Sequence, residues 1–111
     1  MNRMPLSAAA AALLRALIGR AGVRRDRILL TDAESVDWRS LTLNGERHRI
    51  ELRVPGPDSG RVADTMCAGL EDAEFSIPGV IVADIGLTEG PSRALDGSTC
   101  ITIEALTVAE D

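Results

Sequence analysis

At 111 residues, with 45% hydrophobic and 26% charged residues, the chain has the size and composition of one globular domain whose single core needs no disulfide or metal staple. Trp38 and Phe75 are its only aromatic residues and all twelve basic residues are arginine, which argues against an aromatic base-stacking platform and leaves aliphatic side chains to build the core. The net charge of -5 is divided unevenly: residues 1–55 hold ten arginines and six acids, a net of +4, and residues 56–111 hold two arginines and eleven acids, a net of -9. Either the halves fold into separate faces, which suits a head-to-tail contact between copies, or folding interleaves them.

The opening apolar run is mostly alanine, is interrupted by Arg15 and shows no convincing cleavage site, so it reads as a folded helix and not as a secretory or transit segment. No stretch approaches the roughly 20 apolar residues needed to span a bilayer, and no contact with a membrane is expected. Leu6, Ala10, Leu13, Leu14, Leu17, Ile18 and Ala21 recur at spacings of three and four, with Ser7 as N-cap and Gly19 or Gly22 as the stop. Arg20, Arg24, Arg25 and Arg27 crowd the exit, where cations suit the negative end of the helix dipole, and residues 28–31 then predict a short strand.

Residues 36–43 and 46–54 flank Asn44-Gly45, a dipeptide suited to a tight hairpin turn whose two central positions take positive φ. On the second strand His48, Ile50, Leu52 and Val54 alternate with Arg47, Arg49, Glu51 and Arg53, which places the apolar set on one face and three arginines on the other. Val36 and Trp38 share one parity, Leu41 and Leu43 the other, and a bulge near Arg39 and Ser40 reconciles them. The segment Pro55-Gly56-Pro57-Asp58-Ser59-Gly60 breaks the pattern, and Asp58 or Ser59 caps a second helix with the stripe Val62, Ala63, Met66, Cys67, Leu70 and Ala73. Residues 80–87 predict a nearly continuous apolar strand, residues around 91–97 a loop, and residues 99–108 a last strand. The expected fold is α+β over residues 1–111: two helices packed on a largely antiparallel sheet with a long hairpin, in the order αβββαββ.

Chemistry has few places to reside. His48, the only histidine, sits in the apolar alternation of a strand and reads as a partly buried structural residue. Cys67 and Cys100 lie 33 positions apart without a CxxC pair, which predicts buried free thiols in a reducing compartment. Glu71, Asp72 and Glu74 read as a solvated helix end, and the glycines of residues 55–60 lack the lysine and hydroxyl of a phosphate loop. No catalytic residue, cofactor ligand or metal ligand is assigned. Asp84 and Glu104, inside apolar strands, are the carboxylates that an enzyme would use. Arg47, Arg49 and Arg53 suit a phosphate backbone or the carboxylates of a neighbour, or form a plain solvated face, and Trp38 either stacks on one of them or joins the core.

The element order, the segment Ser35-Val36-Asp37-Trp38-Arg39 leading into Gly45-Glu46-Arg47-His48-Arg49-Ile50-Glu51-Leu52-Arg53-Val54, and the Asp96-Gly97 turn before a closing strand that ends Glu104-Ala105-Leu106-Thr107 together resemble the tail completion or tail terminator family of tailed phages, prophages and gene transfer agents. The resemblance implies a non-enzymatic virion part without cofactors, made in the bacterial cytoplasm. Its copies would form a ring, typically of six, that caps the tail tube and joins it to the head connector while DNA passes through unread. Trp38, Arg47, Arg49, Arg53 and the hairpin are then the expected contacts between subunits or with the tube. The alternative is a small dimeric α+β cytoplasmic domain that binds a ligand between sheet and helices or serves as an accessory subunit.

Overall fold

Helix α1 (Ala8–Ala21) forms where the spacing predicts it. The Ser7 hydroxyl accepts a hydrogen bond from the Ala10 N–H at 3.1 Å, and Gly22 closes the helix at φ 71°, its N–H donated to the Gly19 carbonyl. The computed structural model describes residues 6–110, so the first five residues and the last of the expected domain lie outside it.

After α1 come strands β1 (Leu29–Arg39) and β2 (Asn44–Val54), helix α2 (Ser59–Cys67), and strands β3 (Val80–Arg93) and β4 (Thr99–Ala109). The four strands make one antiparallel sheet in the order β1-β2-β4-β3. Each helix is thus followed by a hairpin, and the second strands of the two hairpins meet at the centre. Buried side chains of β2 (His48, Ile50, Leu52, Val54) and β4 (Ile101, Ile103, Ala105, Thr107) face the helices. Between the layers Leu13, Leu17, Ile50, Leu52, Met66, Ile101 and Ile103 fill the core, each worth about 1.5–3 kcal/mol by removal from water. That packed space is where the ligand-binding alternative would put its pocket.

The fold is α+β, with one strand fewer than expected. Residues 28–31 and 36–43 do not form two strands; a single edge strand, β1, runs through Asp32–Ser35. Its polar residues are tolerated because the strand is exposed along much of its length. Its one irregularity falls between Leu30 and Asp32, not near Arg39 and Ser40. The hairpin turn is also displaced. Residues 40–43 make it: the Ser40 N–H donates to the Leu43 carbonyl at 2.9 Å, and the Ser40 hydroxyl accepts from the Leu43 N–H at 3.1 Å. Asn44 and Gly45 belong to β2, opposite Arg39 and Trp38, and Gly45 has no positive φ. Glycine is required there for another reason, since a Cβ would stand 2.0 Å from the Thr107 carbonyl oxygen.

The second helix stops at Cys67, and Leu70 belongs to a separate 3-10 turn (Leu70–Asp72). Asp58 precedes α2 without capping it, because its carboxylate accepts from Arg27 at 2.6 Å. β3 continues past Pro91 to Arg93, and the loop shrinks to residues 94–98, where Asp96 accepts from both the N–H (2.9 Å) and the hydroxyl (2.6 Å) of Ser98. Cys67 and Cys100 are free but only half-buried, short of the full burial expected.

Candidate functional site: the open face of the sheet

The helices cover one face of the sheet, and the alternation of β2 decides what the other presents. In register across the four strands, Trp38, Gly45, Val108 and Ile81 form a first row; Val36, Arg47, Leu106 and Asp84 a second; Glu34, Arg49, Glu104 and Gly86 a third. Arg47, Arg49 and Arg53 therefore lie on one face, as the hairpin alternation predicts, and Trp38, for which the core is the other reading, lies on the same face.

The face divides into two zones. Near the hairpin turn it is apolar: Val36 and Ile81 are 56% and 51% exposed, Trp38 and Leu106 are half-buried, and Leu41 and Leu43 stand exposed on the turn itself. Single exposed aliphatic residues are ordinary, but a contiguous set on an uncovered sheet marks a contact surface. Beyond it the face is ionic. Arg49 lies 3.9 Å from Asp32, 3.7 Å from Glu89 and 4.0 Å from Glu104, and hydrogen-bonds Glu51. The bond to Glu51 first, and the charges of Glu51, Glu89 and Asp32 after it, hold its guanidinium more firmly protonated than usual against desolvation. Arg53 is raised in the same sense by hydrogen bonding with Cys100 and by the charge of Asp96, 3.8 Å away. Solvent screens such exposed pairs and leaves them little part in stability, so their weight falls on which partner fits and in what register.

Arg47 differs from its two neighbours on β2. No carboxylate pairs with it among the described residues. It lines a shallow depression of ≈ 220 Å³ with Glu34, Val36, Arg49, Asp84 and Glu104. The two carboxylates singled out for an enzymatic reading thus share one depression with two arginines. The charged halves of the chain meet on this face side by side: Arg49 and Arg53 from the first reach Glu89, Glu104 and Asp96 from the second.

His48 points the other way. It is buried, with Nδ1 2.7 Å from the Ser35 hydroxyl and Nε2 2.8 Å from the Thr107 hydroxyl, and the Glu46 carboxylate 4.0 Å off. Burial lowers its pKa below 6.5, and Glu46 opposes this only in part. Glu46 in turn accepts from the Ser7 hydroxyl at 2.9 Å, which ties the N-cap of α1 to the sheet. The histidine is structural and fully buried, beyond the partial burial expected.

Ile81, Leu106, Val108 and Glu34, and the Arg49 partners Asp32 and Glu89, are among the residues of this face that the sequence did not single out. Glu34 lies in residues 32–35, outside the strands expected, and Ile81, Leu106 and Val108 meet the hairpin only through the pairing of β4 with β2 and β3, which no local pattern shows. Among the described residues, no helix is long and apolar enough to cross a membrane, and no group of three or more histidine, cysteine or acidic side chains is placed to hold a metal ion. Compared with protein-family profiles, with curated proteins and with solved structures, the chain gives no match.

Proposed function

We propose that the chain is a non-enzymatic structural subunit that assembles with its own copies through the open face of the sheet, as a ring of the tail-terminator kind between a phage tail tube and the head connector. The observation that supports this most is the apolar zone of Trp38, Val36 and Ile81 on an uncovered sheet, bordered by Arg47 and the Arg49 network. The apolar zone supplies the drive to associate, and the fixed ionic rows supply register. The family resemblance of the hairpin around Trp38 and His48 supports the ring form. DNA would pass through the opening without base-specific contact.

The test is solution mass by light scattering behind a sizing column, over a concentration series and at low and high salt. A species near six subunits, weakened by salt, is expected. Val36→Asp combined with Ile81→Asp, both at exposed positions, shifts it to monomer while circular dichroism stays unchanged. A chain that stays monomeric at every concentration and also in the presence of purified tail tubes refutes the proposal. A concentration-independent dimer carrying a bound small molecule would favour the ligand-binding domain instead.

A further inference from the structure

The two edges of the sheet are built differently. β3 breaks register at Val82/Asp84, Leu87/Glu89 and Glu89/Ser92, and it contains Pro91, which has no N–H to offer. Bulges and proline are the usual means of blunting an edge. β1 has neither device beyond Leu30/Asp32: from Asp32 to Arg39 its pairing with β2 is unbroken, and it contains no proline. Its outward N–H and C=O groups over that stretch have no partner among the described residues. A regular edge of this length is the geometry on which an extended segment adds as a further strand.

The side chains say which segment fits. Asp32, Glu34 and Asp37 are exposed along β1, and Glu34 and Asp37 have no ion-pair partner among the described residues. On the side already occupied, β2 places Arg49 opposite Glu34, but Glu51 opposite Asp32 and Glu46 opposite Asp37, so two of the three carboxylates already face an acid and gain most from a cation on the free side. A second copy supplies few cations: its own β1 brings the same three carboxylates with Arg39 alone, and its β3 edge brings Asp84 and Glu89 with Arg93 alone. The edge therefore fits a basic strand better than another copy.

We propose that Asp32–Arg39 is a docking edge for an extended basic segment of a different protein, in which arginine or lysine alternates with apolar residues so that its cations meet Asp32 and Glu34 on the open face, and which joins the sheet as a fifth strand. This goes beyond the self-assembly proposed above, which uses the open face and not this edge.

Trp38, the only tryptophan, lies on β1 and reports on binding directly. Three blocked nine-residue peptides serve as probes at protein concentrations where the chain is monomeric: arginine alternating with valine, the same residues in two blocks, and glutamate alternating with valine. The first is expected to change Trp38 emission saturably and to slow amide hydrogen exchange over Asp32–Arg39 by about tenfold or more, while the other two do neither. Asp32→Arg with Glu34→Arg, both at exposed positions on the open face, is expected to abolish that binding and to transfer it to the glutamate peptide, with an unchanged circular dichroism spectrum. Equal binding of the block peptide, or protection that falls elsewhere than β1, overturns the proposal. So does protection of β1 that rises with protein concentration, without peptide, in the variant carrying Val36→Asp and Ile81→Asp, whose open face no longer associates, because the occupant of the edge is then a second copy. Any of these results leaves the solution-mass test of the open face standing on its own.

Discussion

Replacing Gly45 by alanine separates two reasons for a glycine. The new Cβ would stand 2.0 Å from the Thr107 carbonyl oxygen and 3.1 Å from the Val108 Cα, both backbone atoms of β4. A carbon and a carbonyl oxygen approach to about 3.3 Å at closest ease, so β2 and β4 must part locally by about 1.3 Å. Gly45 pairs with Val108 near the end of the β2–β4 ladder, and a shift of that size breaks the terminal hydrogen bonds and loosens Val108, which is buried. Crowding of this kind together with lost ladder bonds costs about 2–3 kcal/mol, or a melting point lowered by about 10–20 °C in a domain of this size. Denaturant and thermal unfolding of Gly45→Ala, Gly45→Asn and the control Asn44→Ala decide the matter. The control should fall within about 0.5 kcal/mol of the parent, and Gly45→Asn should be at least as damaging as Gly45→Ala. At a left-handed turn position asparagine is the best-tolerated replacement, so a Gly45→Asn variant clearly milder than Gly45→Ala would refute the close-approach explanation.

Acid should weaken the fold in two steps. His48 has a folded pKa below 6.5, so as pH falls past 6.5 the unfolded chain takes up a proton that the folded chain refuses, and stability drops until the folded pKa is reached. Asp58 and Asp96 are held below 3.8, by hydrogen bonding from Arg27 and from Ser98 respectively, so their contribution, complete above that value, is lost as pH falls through their folded pKa values. Denaturant midpoints from pH 8 to pH 3 should show both slopes, and His48→Gln should erase only the upper one. Ser7→Ala removes the hydroxyl that both caps α1 and donates to Glu46; unfolding should register a loss of about 1 kcal/mol, and a loss below about 0.3 kcal/mol would show that water replaces both bonds.

What could be read from the sequence was what short-range chemistry decides. α1 emerged with its cap and its stop because a 3.6-residue period, a serine and a glycine carry all the information, and the β2 alternation assigned Arg47, Arg49 and Arg53 to one face for the same reason. The errors arose where tertiary position overrides local preference. Asn44-Gly45 has the signature of a turn, but its glycine answers to a backbone in β4, about 60 residues away in the chain. Asp32–Ser35 and Pro91 look like breaks, and both lie in edge strands, where polar residues stay solvated and a missing N–H can be tolerated. The neighbours of Trp38 on the open face depend on β4 and on a bulge in β3, and no local pattern encodes them.

The arrangement of a helix and a hairpin, repeated, gives the chain the plan of two small partners fused through residues 55–58. Each hairpin closes on itself over a short loop, so the contacts between the two units, β2 against β4 and α1 against α2, are the main ones that join segments far apart in sequence. Residues 1–55 carry +4 and residues 56–111 carry -9. The imbalance that looked suited to joining separate molecules is therefore also available within one molecule, where it draws the first hairpin to the second during folding, most strongly where salt is scarce.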